Sequence, residues 1–143
     1  MIKGAKWPRK KLRLARAILL LSFRNGAKDF ADSSEISQLN ITGREYHHLF
    51  PDDFLKKKGF KESDSDIALN CALITWKTNR NISNKEPLKY LLDRSKANDL
   101  GEKTIRKRLQ SHLIDYEKLN QGDYNKFIDK RAEDVMKAIK QVC

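Results

Sequence analysis

A chain of 143 residues has enough length for one domain with a modest core, and 39% hydrophobic against 34% charged residues is the balance of a soluble globular protein. The 30 Lys and Arg against 19 Asp and Glu leave a net charge of +11, a surplus that points to a polyanionic partner, nucleic acid ahead of an anionic membrane surface. Cys71 and Cys143 stand far apart without CxxC spacing, so neither a disulfide framework nor a zinc ribbon is signalled, and reduced thiols in the cytoplasm are expected.

From Pro8 to Arg24 the residues Leu12, Ala15, Leu19 and Phe23, flanked by Ile18 and Leu20, recur at helical spacing, and Asn25-Gly26 ends the run, which predicts a first helix over 8–24. Its apolar stretch, Ala15 to Phe23, is too short to span a bilayer. Basic residues precede it as in a signal peptide, but no small-residue cleavage site follows. Residues 27–43 lack a period and read as loop with at most a short strand. The segment REYHHLFPDDFL, Arg44 to Leu55, then brings two of the three histidines together ahead of Pro51. A short helix is expected from Asp52 to Gly59, an exposed acidic turn over Glu62 to Asp66, and a buried stretch from Ile67 to Trp76 with a strand through Ala72 to Thr75. Pro87 suits the N-terminus of a helix with Leu88, Leu91 and Leu92 on one face. Gly101 opens another helix on Ile105, Leu109, Leu113 and Tyr116, and Asp123 is the expected N-cap of the last, whose stripe is Phe127, Ile128, Val135, Ile139 and Val142. The composite is a mostly α-helical α+β domain over residues 1–143, within a larger protein, with N-terminal helix 8–24, core about 44–92 and C-terminal helices about 101–142.

Adjacent residues of a strand point to opposite faces, so His47 and His48 cannot chelate together from one face and their roles must differ. Downstream, Asn70, Asn79, Asn81 and Asn84 lie among Lys77, Arg80 and Lys85. Asparagine at this density is ordinarily turn chemistry when it stands alone. His112, on the apolar side of a C-terminal helix, reads as structural.

Taken together, His47-His48-Leu49-Phe50-Pro51, Asn70-Cys71-Ala72-Leu73-Ile74 and Lys77-Thr78-Asn79-Arg80 resemble the motif of the HNH (His-Me finger) nucleases, and the match is nearest to the C-terminal domain of GmrSD-type, modification-dependent restriction proteins. The likeness runs over about residues 10–95, taking in Lys28-Asp29-Phe30 upstream and Ile82-Ser83-Asn84-Lys85 downstream. It implies a ββα-metal core with flanking helices. It further implies that His48 is the general base for a water attacking phosphorus, that His47 and Asn79 hold one divalent metal, and that Asn70 pins the two limbs of the finger through hydrogen bonds to backbone, fixing where His48 points. Many relatives carry Asp where His47 stands. A site of His and Asn leaves Mg²⁺ or Mn²⁺ as the first expectation, with Zn²⁺ or Ni²⁺ open. Glu45, Asp52 and Asp53 are near enough in sequence to support an imidazole, although solvent-exposed carboxylates are the plainer reading.

Lys56, Lys57, Lys58, Lys77, Arg80 and Lys85 flank the motif and are the expected phosphate contacts, which position a backbone and read no bases. Further basic residues, Lys103, Arg106, Lys107 and Arg108 on a later helix and Arg9 to Arg16 on the first, read as solvated faces. Three functions follow: a DNA endonuclease leaving 5′-phosphate and 3′-hydroxyl ends in a bacterial anti-phage restriction system, a non-catalytic DNA-binding module of a defence complex, or a helical scaffold in which the histidines merely pack. No P-loop occurs, so any NTP use belongs to an N-terminal domain or partner subunit.

Overall fold

Among the described residues, apolar residues spaced three and four apart turn more than half into helices, and one pair of five-residue segments makes the sheet. The computed structural model describes residues 1–8, 12–30, 34–37, 39–75, 89 and 101–142. In chain order these give α1 (Arg13–Arg24), β1 (Arg44–His48), α2 (Asp52–Lys57), α3 (Glu62–Ser65), β2 (Cys71–Thr75), α4 (Gly101–Ser111), α5 (Tyr116–Gln121) and α6 (Tyr124–Lys140), with short 3₁₀ turns at Ile2–Gly4, Ile41–Gly43 and Ala68–Asn70. The fold is α+β, mainly helical, with one two-stranded antiparallel sheet. The helix expected from Pro87 lies outside the described residues, and the first helix starts later than its expected beginning at Pro8: Pro8 and Leu12 are not helical, and Leu12 is the N-cap of α1.

Helix α1 buries Ala15, Ile18, Leu19 and Ser22, while Leu12 and Leu20 face outward. The inward stripe packs with Phe127 and Val135 of α6, Ile105 and Leu109 of α4, and Leu69, Ala72 and Ile74 at the sheet in one core. Asn25, just past α1, donates from Nδ2 to the carbonyl of Ser111 (3.1 Å), so it satisfies an open carbonyl at the end of α4. Asp123 caps α6 by accepting from Lys126 N–H (3.1 Å).

Two predicted elements come out differently. Helix α4 stops at Ser111 and does not reach Tyr116. Leu113 takes φ +57, its N–H donates to Gln110 O (2.9 Å), and Ile114 N–H donates to Leu109 O (3.1 Å), a left-handed stop of the Schellman kind. Burial of Ile114 and partial burial of Leu113 in the core offset the strain of a non-glycine residue there, and Asp115 restarts the chain as N-cap of α5. The acidic turn is likewise a helical turn, α3, in which Ser65 is buried.

The core contains cations as well as apolar groups. Arg131 of α6 is buried, and its guanidinium donates to the carbonyls of Leu69 (2.7 Å), Cys71 (2.9 Å) and His112 (3.2 Å); burial lowers its pKa to about 10. Arg108 is also buried and donates to Phe30 O (2.9 Å), so it faces inward, contrary to the solvated face expected of it. His112 is buried as a neutral ring: Nε2–H donates to Lys28 O (2.7 Å), Phe30 packs edge-on at 4.9 Å, and Nδ1 has no hydrogen-bond partner among the described residues. Burial pushes its pKa down to about 4.

That depression sets a pH dependence. Below the ordinary histidine value of about 6.5 the unfolded chain takes up a proton that folded His112 refuses, so its contribution is complete above that pH and is lost as pH falls through about 4, by roughly 3 kcal/mol in all. Urea unfolding of wild type and His112→Asn from neutral to mildly acid pH checks this, the variant losing less stability on acidification.

Candidate active site

The site is built where the end of β1 meets the 3₁₀ turn that feeds β2. The strands pair antiparallel with His47 opposite Ala72 and His48 opposite Cys71. Pleating sends His47 to the face of Ala72 and Ile74, where it is buried against the main core, and His48 to the other face, half-buried. Arg44 anchors the start of β1: its Nη1 meets the buried Asp29 carboxylate at 3.1 Å, and Nη2 reaches Glu35 O at 3.3 Å. The loop before the sheet is thereby tied to the strand that carries the histidines.

Asn70 holds the two segments in register. It is fully buried. Its Oδ1 accepts from Phe50 N–H (2.8 Å), its Nδ2 donates to Phe50 O (3.1 Å) and Ser65 O (3.0 Å), and its own carbonyl accepts from Leu49 N–H (2.8 Å). One carboxamide thus satisfies both backbone groups of the residue two past His48. The Phe50 ring is locked by Tyr124 at 5.3 Å and Phe127 at 5.1 Å, so the exit from β1 is fixed from both sides.

His48 has two neighbours that sequence spacing did not single out. Its Nε2 lies 3.0 Å from Oδ1 of Asp66, and its ring stacks on the indole of Trp7, with centroids 4.0 Å apart and planes 24° from parallel. Both neighbours are set by backbone. Trp7 N–H donates to Asp66 O (2.9 Å), Ala68 N–H donates to Ala5 O (2.8 Å), and Lys6 bridges to Ile67, so the first residues of the chain lie antiparallel against the segment that carries Asp66. Because a carboxylate only accepts, a neutral His48 in this contact carries its proton on Nε2 and its lone pair on Nδ1.

Of the carboxylates near the histidines in sequence, two keep the plainer solvent-exposed reading. Asp52 meets the Ser65 hydroxyl and pairs with Lys56 at 3.8 Å, and Asp53 and Glu45 are exposed. Asp66 is the acid that reaches His48, 18 residues away in sequence. Lys56, Lys57 and Lys58 are exposed around the end of α2, Lys58 lying 4.9 Å from the Phe54 ring centroid. Asn79, Lys77, Arg80 and Lys85 lie outside the described residues. Among the described residues no cluster of three or more His, Cys, Asp or Glu side chains is grouped to hold a metal, and no helix is long and apolar enough to cross a membrane. Cys71 is buried, and burial pushes its thiol up to about 12, which leaves it unreactive.

No protein-family model matches the chain, nor does any solved structure. It is similar, at 27% identity over 145 residues, to the uncharacterized protein MJ0686 of Methanocaldococcus jannaschii. The alignment takes in 87% of this chain and 24% of that protein, so the chain spans about a quarter of the relative's length.

Asn70 gives a direct test of the scaffold. Asn70→Ala strands Phe50 N–H and two carbonyls in a dry interior and costs about 2–4 kcal/mol. Asn70→Asp keeps the shape but has no donor for Phe50 O and Ser65 O, so denaturant unfolding should find it at least as destabilised; an unperturbed Asn70→Asp would remove the cross-tie from the account.

Proposed function

We propose that the chain is a metal-dependent endonuclease of the HNH (His-Me finger) type that hydrolyses DNA phosphodiesters to 5′-phosphate and 3′-hydroxyl ends. The observation that carries this reading is the antiparallel pair Arg44–His48 and Cys71–Thr75, cross-tied by the Asn70 carboxamide so that His47 and His48 face opposite ways from adjacent positions. That arrangement suits the two-sided task of an HNH site, and a ββα-metal core is the finer fold it fits.

In this reading His48 takes the proton of the attacking water through Nδ1, the nitrogen left with a lone pair by the contact between Nε2 and Asp66. Asp66 is a positioning residue. It holds the ring orientation and favours the imidazolium that forms as the proton arrives, while the Trp7 face covers one side of the ring. The resemblance assigns His47, on the opposite face of β1, together with the Asn79 carboxamide, as the residues that would hold one divalent ion, Mg²⁺ or Mn²⁺ in first place. When bound, such an ion supplies charge stabilisation at a non-bridging phosphate oxygen and the departing 3′ oxygen. Lys56, Lys57 and Lys58, together with Lys77, Arg80 and Lys85, draw in the phosphate backbone without reading bases, so association weakens as salt rises. A restriction or other anti-phage setting, with recognition or NTP use from another domain or subunit, is proposed on the resemblance alone.

Nicking of supercoiled plasmid at low salt tests the proposal. Cutting is expected with Mg²⁺ or Mn²⁺ and not with EDTA, falling by about 10²–10⁴ in His48→Ala and less in Asp66→Asn, where the loss is in kcat more than in KM. A wild type that binds DNA and cuts it under no divalent metal is instead a non-catalytic module.

A further inference from the structure

Beside the His48 cluster a cavity of about 300 Å³ opens between Lys6, Trp7, Leu12, Ser63 and Asp66. Two of its walls, Trp7 and Asp66, are the residues that touch His48. We infer that this cavity seats one unstacked nucleobase of the strand being cut, so that the substrate is single-stranded or locally unpaired DNA. The inference rests on the nuclease reading and adds the substrate class to it.

Each wall suits a base. Trp7 is a half-buried indole that offers aromatic surface to the cavity while part of its ring is committed to His48. Aromatic surface stacks with any base, which gives grip without sequence preference. Leu12, 40% exposed, supplies an apolar wall. Polar edges come from Ser63 and Asp66, able to meet donors and acceptors on a base edge. The exposed Lys6 ammonium at the rim complements the phosphate that each nucleotide brings with it.

Size and placement then select the substrate. The cavity is open to solvent and has room for one ring system, and a base within a duplex, whose faces are already covered by its neighbours, would have to unstack to lie against Trp7. The bonds from Ala5 and Trp7 to Ala68 and Asp66 hold the walls in place before anything binds. Because the cavity borders the residues touching His48, its base belongs to a nucleotide next to the bond that is cut.

The test is binding in EDTA, where no cutting occurs, of a short dye-labelled single strand, the same strand with abasic sugars placed one at a time, and the matching duplex. Trp76→Phe leaves Trp7 as the sole indole. The single strand should quench its emission, one abasic position should abolish the quench and weaken binding about tenfold, and the duplex should leave emission unchanged. Trp7→Ala should bind intact and abasic strands alike. Should that variant fail to fold, Leu12→Asp, on the exposed wall, should weaken single-strand binding while sparing duplex binding. Equal single-strand affinity in wild type and these variants with unchanged Trp7 emission, or equal quenching by the duplex, overturns the base site and leaves the nuclease reading intact if plasmid is still nicked. No binding to either form of DNA overturns both.

Discussion

One side chain decides whether this site exists. The Asn70 carboxamide, buried and fully bonded, joins the residue two past His48 to the turn that begins β2. A two-stranded sheet of five residues a side has little stability of its own. Its register follows from packing of Ala72 and Ile74 on one face and of Cys71 and Leu73 on the other, from Arg44 paired with Asp29 at one end, and from Asn70 at the other. A one-residue slip would exchange the faces of His47 and His48, so any division of labour between neighbouring imidazoles depends on this tie.

The large positive charge divides into two populations with different tasks. Arg44, Arg108 and Arg131 are buried, and each donates to backbone carbonyls, Arg44 also to the buried Asp29 carboxylate. Arg131 closes the carbonyls on either side of Asn70 as well as that of His112, so α6 is bolted to the base of the sheet through hydrogen bonds as well as apolar contact. Arginine suits this task because its planar fork reaches several acceptors at once and keeps its charge when desolvated better than lysine does. A surplus counted over the whole sequence therefore overstates what a polyanion meets. The lysines around α2, Lys56, Lys57 and Lys58, are among the charges exposed at the surface and available to it.

Local rules made much of this legible in the sequence. The stripe of α1, the N-cap at Asp123, the strand carrying the histidines and the fixing role of Asn70 each follow from spacing within a few residues or from the resemblance of the motif. What was not legible depends on distant partners. Asp66 sits in an acidic run that looks like any solvated turn, and only its backbone pairing with Trp7 turns its carboxylate to His48. Arg108 has the same neighbours in sequence as the exposed Lys107, yet α4 turns it toward Phe30 O, 78 residues earlier. The break after Ser111 has no glycine to announce it, because core packing of Leu113 and Ile114 stands in for the usual residue.

The N-terminal segment shows how such a site can be completed from outside its motif. Ala5 to Trp7 contribute little apolar core, yet their backbone pairing with Asp66 to Ala68 delivers two side chains to His48, one against its face and one against its edge. The two contacts act on different properties of the imidazole. The indole limits which face solvent can reach, and the carboxylate decides which nitrogen keeps its proton. Neither contact requires the ring to leave the strand, so its orientation is settled by the fold itself: the neutral ring donates from Nε2 to the Asp66 carboxylate, stacks on Trp7, and leaves the Nδ1 lone pair for whatever else the site meets.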